Sequence, residues 1–357
     1  MPGRYLVTLA PGVASDRAVE RWRLPVRQTF RAVLNGFSAD LSPERLREVR
    51  RLPGVLAVEQ VGVVTGAGST PRARHREPTA SWALDRVDQR ALPLDQSFTP
   101  DEDGEGTTAY IVDSGIDVAH TEFEGRAVRG FDAFGGAAED CYGHGTNVAS
   151  LAGGRTYGVA RKAHLVSVKV LDCANTGTSE GLLAGYEWIA ANAAPASVAN
   201  SSLSSIRSAA INSAVDTLAR RGILTVAAAG NQASDACTRS PASASSVLAV
   251  GNSTSADTES STSNYGRCLS LYAPGHQVLG ARMGGGSVTA NGTSLAAPYV
   301  TGAALLALDE APASTPEALR QRLVDEATPG VLAVTPGSPN RLLYVTPDEP
   351  ETETARD

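Results

Sequence analysis

The chain has 357 residues, 42% hydrophobic and 19% charged, the balance of a globular protein and not of a disordered one. Its net charge of −7 and its lack of a basic, aromatic-rich stripe exclude nucleic acid as substrate. No uninterrupted apolar run of about 18 residues is present to cross a bilayer, and the length suits one α/β domain of about 270 residues with a smaller module beside it.

Arg4–Leu9 reads as a strand, and Thr29–Leu41 as two strands broken at Asn35-Gly36. Pro43–Arg51 is a helix, with Ser42 as cap, Pro43 at its first position and apolar residues at helical spacing. Gly54–Val61 supplies a last strand, while residues 13–25 leave little room for a long first helix. The elements make a small α+β module over residues 1–64. Thr65–Arg76 is rich in Gly, Ser, Pro and Arg and reads as exposed linker, which we extend over 65–80. Residues 1–78 carry 13 basic and 7 acidic side chains, net +6, and residues 79–357 carry 18 and 31, net −13. Opposite charge favours docking of the two parts on each other.

Within the second part, 81–346, Asp85, Asp88 and Gln89 lie at i, i+3 and i+4 of one helical turn, an arrangement of oxygens able to hold calcium and equally a solvated polar face. Thr108–Val112 is an apolar, β-branched run ending at Asp113, a buried parallel strand with a carboxylate at its C-terminal edge, where open α/β sheets bind ligands. Gly143-His144-Gly145-Thr146 leads into a helical stretch through Ala152. Gly222–Ala229 reads as a buried strand ending in Gly230-Asn231. Ser294 precedes Ala296–Leu306, a helix in which Pro298 is tolerable only in the first turn. Pro347–Asp357 is an acidic, disordered tail.

A serine hydroxyl is a poor nucleophile at neutral pH unless an imidazole takes its proton and a carboxylate orients that imidazole. Asp113, His144 and Ser294 supply those parts, and Asn231 with the backbone N–H of Ser294 supplies donors for an oxyanion. The order Asp, His, Ser separates this arrangement from the His, Asp, Ser of chymotrypsin-like enzymes and the Ser, acid, His of α/β-hydrolases.

From about Trp82 to Tyr344 the chain resembles the subtilisin-like serine proteases, in their proteinase K branch and close to the aqualysin type. Trp82–Arg90 is similar to the start of mature enzymes of that branch, and Ser338–Tyr344 to their end. The resemblance implies a mostly parallel sheet flanked by helices, preceded by a ferredoxin-like propeptide that assists folding and then blocks the cleft, with the maturation cut between Val64 and Ala80. It implies disulfides Cys141–Cys173 and Cys237–Cys268, among the three pairings open to four cysteines; four free thiols are the alternative. It implies structural calcium near Asp85, Asp88 and Gln89 and no cofactor for catalysis. A second calcium position, at Ser245 and Val247, lacks its acid, since Ser270 stands there. The resemblance further implies an extended peptide substrate, added as a strand between Asn175-Thr176-Gly177-Thr178 and Ser202-Leu203-Ser204.

The chain departs from the family pattern at several places. Leu203-Ser204-Ser205 stands for Leu-Gly-Gly, which narrows the pocket for the residue before the cut bond; Asn147 stands for His, Leu295 for Met, and Tyr299 follows Pro298 in place of His. The expectation is a serine endopeptidase made as a self-inhibited precursor, a monomer acting on protein or peptide. The rivals are a peptide-binding protein on the same fold without turnover, and an esterase. Disulfides point to an oxidising, extracellular compartment, although Met1-Pro2-Gly3-Arg4 runs into a strand with no secretory leader.

Overall fold

The computed structural model describes residues 1–68 and 81–346, so the expectations for the rest of the linker and for the tail from Pro347 lie outside the described residues. The N-terminal module runs β1 (Arg4–Leu9), α1 (Ser15–Trp22), β2 (Val26–Phe30), β3 (Gly36–Asp40), α2 (Pro43–Val49) and β4 (Val55–Gln60). Its strands form one antiparallel sheet in the order β2-β3-β1-β4, a ferredoxin-like topology. Strand alternation gives the sheet two apolar faces. Val7, Leu9, Phe37 and Ala39 pack under the module's own helices, while Leu6 and Phe30 join a cluster containing Leu182, Tyr186 and Ile211 of the larger domain. Ser42 caps α2 by accepting from Arg45 N, as its sequence position predicts. The short first helix has eight residues.

Next come β5 (Val63–Gly66), α3 (Trp82–Val87), β6 (Thr108–Asp113), β7 (Ala127–Asp132), α4 (His144–Gly153), β8 (His164–Lys169), β9 (Thr176–Thr178), α5 (Ser179–Asn192) and β10 (Ser197–Ser201). They are followed by β11 (Leu203–Ile206), α6 (Ala209–Arg220), β12 (Leu224–Ala228), β13 (Arg239–Ser240), β14 (Leu248–Ser253), β15 (Leu271–Pro274), β16 (Val278–Ala281) and β17 (Ser287–Ala290). The last elements are α7 (Thr293–Glu310), α8 (Pro316–Glu326), β18 (Thr328–Pro329) and β19 (Arg341–Leu342). A nine-stranded sheet, β18-β19-β15-β14-β12-β10-β6-β8-β7, is parallel except for β18. Its central strands are buried on both faces, which is why they read as near-continuous apolar runs.

One departure concerns α7. It begins at Thr293, so Pro298 lies beyond the first turn, inside the helix. Proline has no N–H to give to the carbonyl four residues back. That carbonyl, of Ser294, instead accepts from Ser202 Oγ at 2.8 Å. A hydroxyl from the strand side replaces the missing helical bond, and the helix continues. The second departure concerns Thr65 and Gly66, read from composition as the start of an exposed linker. They end β5, which is hydrogen-bonded on both edges, between β11 and β9.

Candidate active site

Asp113 ends β6 and His144 opens α4, and the two meet because Gly145 lets α4 approach the turn after β6: a Cβ there would stand 2.1 Å from Gly115 O. His144 Nδ1 lies 2.7 Å from Asp113 Oδ1, which also accepts from Ser114 N, and both side chains are buried. Burial by itself lowers the His144 pKa, but the charge and hydrogen bond of Asp113, with Asp140 beyond, more than offset it and hold the imidazole above its ordinary value.

Ser294 lies in the first turn of α7. A point one Cβ out from Gly68 is 2.7 Å from Ser294 Oγ and 2.9 Å from His144 Nε2, so those two atoms stand no more than about 5.6 Å (2.7 + 2.9) apart. Among the described residues neither has a hydrogen-bond partner, and Gly68 lies against both. Ala67 O accepts from Asn231 Nδ2 at 2.5 Å and from Ser294 N at 3.2 Å. Asn231 is aimed by Thr293, whose N–H and hydroxyl both donate to Asn231 Oδ1. Gly292, at φ 145°, makes room for that carbonyl, since a Cβ there would sit 2.5 Å from Ala67 O. A peptide carbonyl thus points at two donors with a hydroxyl and an imidazole beside it.

The segment before that carbonyl is held as a strand. β5 pairs antiparallel with β11 (Leu203 opposite Gly66, Ser204 opposite Thr65) and with β9 (Thr176 opposite Thr65, Gly177 opposite Val64, Thr178 opposite Val63). Gly66 N donates to Asn175 O and Ala67 N to Ser202 O. All seven residues expected to bind substrate therefore touch this segment. The two cystines are Cys141–Cys173 and Cys237–Cys268, the first flanking the His144 loop.

Several contributors carried no signal strong enough to single them out. Asp140 accepts from Ser114 Oγ, Tyr142 N, Gly143 N, Thr146 N and Thr146 Oγ1, joining the turn after Asp113 to the start of the His144 helix. Lys169, at the end of β8 beside Asp113, donates to Ser114 O and Leu171 O, and burial pushes its ammonium below the usual lysine range. Three acids bridge to the N-terminal module. Glu187 accepts from the N–H groups of Arg31, Ala32 and Val33; Glu180 accepts from Ser38 Oγ and Arg4; Glu59 of the module accepts from Ser208 Oγ and Ala210 N, where α6 begins. An anion there meets the free N–H groups of the helix terminus.

Of the departures, Asn147 donates to Ala281 O and faces β16, Tyr299 is fully buried in α7, and Ser204 and Ser205 line β11. Asp85 accepts from Asp95 N and Gln96 N, Gln89 from Asp95 N, and Asp88 Oδ2 from Thr99 N. Asp88 Oδ1 is buried with no partner among the described residues, and burial pushes this carboxyl up to about 6. Among the described residues no group of three or more His, Cys, Asp or Glu is arranged to hold a metal.

The subtilase family profile matches residues 104–344. The chain is 42% identical over 331 residues to alkaline serine exoprotease A of Vibrio alginolyticus, covering 92% of this chain and 62% of that one. It is 38% identical to the extracellular serine proteinase of Thermus sp. (strain Rt41A), covering 96% and 90%. Among solved structures, a cold adapted subtilisin-like serine proteinase aligns with a TM-score of 0.74 at 45% identity, over 76% of this chain and all of that one. The chain belongs to the subtilase family.

Proposed function

We propose that this chain is a serine endopeptidase made as a precursor, with Asp113, His144 and Ser294 as its catalytic residues and residues 1–67 as an intramolecular inhibitor. The observation that carries the reading is the seating of the chain's own Ala67 carbonyl between Asn231 Nδ2 and Ser294 N, next to Ser294 Oγ and His144 Nε2. The maturation bond in this reading is Ala67–Gly68.

Ser294 Oγ adds to the Ala67 carbonyl carbon while His144 Nε2 takes its proton, and Asp113 stabilises the imidazolium. The electron pair of the C=O moves to oxygen, where Asn231 and the Ser294 N–H donate to it. Collapse breaks the C–N bond, His144 returns the proton to the Gly68 nitrogen, and an ester to Ser294 remains. Water repeats the sequence and releases the Ala67 carboxylate. The same steps apply to an extended protein substrate laid between β9 and β11.

Two cystines and an extracellular relative support action outside the cell. Calcium at Asp85, Asp88 and Gln89 is supported by the buried, unpartnered Asp88 oxygen, which a cation would satisfy while adding stability and no catalytic step.

The test is mass measurement over time on the purified chain and on Ser294→Ala. The wild type resolves into fragments ending at Ala67 and starting at Gly68, and the variant stays intact. Equal processing of both refutes self-cleavage. A fluorophosphonate labels wild-type Ser294, and undiminished labelling of His144→Ala removes His144 as the base.

A further inference from the structure

We infer that this protease selects small side chains on the acyl side of the cut, alanine or glycine immediately before the bond (P1) and glycine one residue earlier (P2), so that its substrates are extended polypeptides rich in glycine and alanine. The inference rests on the proposed endopeptidase function and follows from two side chains that fill the subsites.

The first is Ser204. Antiparallel pairing sets Ser204 opposite Thr65, and strand alternation then puts the side chains of Thr65, Ala67 and Ser204 on one face of the four-stranded sheet β13-β11-β5-β9. Ser204 is 5% exposed, its hydroxyl has no partner among the described residues, and its Oγ lies 3.2 Å from where a Cβ on Gly230 would stand. Gly230 leads directly into the oxyanion donor Asn231. The hydroxymethyl group therefore occupies the space between the substrate strand and the Gly230 wall, where P1 must go. Ser205 does not intrude: it falls on the other face, and its hydroxyl donates to Ile206 O at 2.9 Å.

The second is Asn175. A Cβ added to Gly66 would lie 2.3, 2.4 and 2.6 Å from Asn175 Nδ2, Oδ1 and Cγ. Asn175 is itself buried, at φ 58°. A larger P2 residue has to displace it. Two residues further back Val64 is fully buried in a cluster with Leu203 and Ile211, an apolar site for P4. The precursor segment Val64-Thr65-Gly66-Ala67 thus satisfies each subsite that the chain builds. A single misfitted methylene in such a pocket changes discrimination by about 10- to 200-fold, which makes an aromatic or leucine P1 a poor substrate.

The experiment uses the full chain after its own processing and peptides of the form Val-Thr-Gly-Xaa-Gly-Gly, with Xaa as Ala, Leu or Phe, and a parallel peptide with Leu at P2. Wild type favours Ala over Phe in kcat/KM by about 100-fold or more, and Ser204→Gly lowers that ratio by about tenfold or more. Asn175→Gly raises the rate on the Leu-P2 peptide relative to the Gly-P2 peptide. Equal use of Ala and Phe by wild type, or an Ala/Phe ratio unmoved in Ser204→Gly, overturns the inference. If Ser294 takes the fluorophosphonate while selectivity is absent, only the selectivity falls. If Ser294 neither labels nor cuts any peptide, the endopeptidase reading falls and the selectivity with it.

Discussion

The proposed cut at Ala67–Gly68 predicts that the N-terminal module then stays bound through contacts remote from the reacting atoms, and Glu187 is the one to remove. Its carboxylate accepts three consecutive backbone N–H groups of the module, from Arg31, Ala32 and Val33, at 2.8, 2.6 and 2.9 Å. A hydrogen bond to a charged acceptor contributes about 1.5–3 kcal/mol. Here three donors share one charge at a half-exposed edge, and water takes them up once the carboxylate is gone, so we assign Glu187→Ala about 2–4 kcal/mol in total. At about 1.4 kcal/mol per factor of ten, the cut complex dissociates roughly 30- to 1000-fold faster, with the change in the off-rate. The assay follows peptidase activity after processing is complete by mass. The lag before full activity shortens in Glu187→Ala and stays as in wild type for Glu48→Ala, which pairs with Arg45 inside the module. A Glu187→Ala lag within about threefold of wild type refutes the reasoning, because a difference of about 0.6 kcal/mol is too small for three lost charge-assisted bonds.

Asn231→Leu removes one of two oxyanion donors and lowers kcat by about 10²- to 10³-fold with little change in KM, measured on a peptide ester and a peptide amide. His144 acts as a base only when neutral, and the charge of Asp140 helps to raise its pKa; Asp140→Asn therefore moves the acid limb of kcat/KM to lower pH, and a limb that stays or rises contradicts this. Replacing Cys141 and Cys173 by serine opens a loop of 32 residues and costs about 3–4 kcal/mol by chain entropy, read as a drop in the denaturant midpoint. Added calcium raises Tm of wild type and leaves that of Asp88→Asn unchanged if the unpartnered Asp88 oxygen is where the cation sits.

The residues proposed to carry chemistry were legible because each stands at the end or the start of a regular element. Asp113 follows a run of apolar, β-branched residues, Asn231 follows another, and His144 and Ser294 stand at helix starts. Chemistry restricts the residue type at each place, and the order along the chain restricts the fold. Asp140 was not legible. An acid followed by Cys-Tyr-Gly reads as an ordinary loop residue, and its five donors come together only when the turn after β6 folds against the start of α4. Glu180 and Glu187 look like solvent-facing acids on a helix until the module covers them. Pro298 misled for the same reason: a local rule limits proline to a first turn, and the partner that relaxes the rule, Ser202, lies 92 residues away from the carbonyl it satisfies. Asn147, a departure from the family pattern, has a partner that its neighbours in sequence do not reveal: its amide donates to Ala281 O, 134 residues away.

In the proposed reading one segment serves as both substrate and inhibitor, and the strand contacts supply the physical reason. Pairing of β5 with β9 and β11 involves backbone groups that do not change as the Ala67 carbonyl becomes tetrahedral, so it binds ground state, transition state and product alike. Such binding aligns the bond but does not speed the chemical step. Of the contacts made to this segment, only those to Ala67 O, from Asn231 and Ser294 N, meet charge that develops during reaction. Once the bond is cut, Val64 to Ala67 keep every strand contact, and the new carboxylate at Ala67 still faces the same two donors. The product then leaves no faster than the module that carries it, which is anchored at α5 and α6 by Glu180, Glu187 and Glu59. Cleavage and activation are therefore separable: changes at Asn231 slow the first, and changes at Glu187 speed the second without touching a reacting atom.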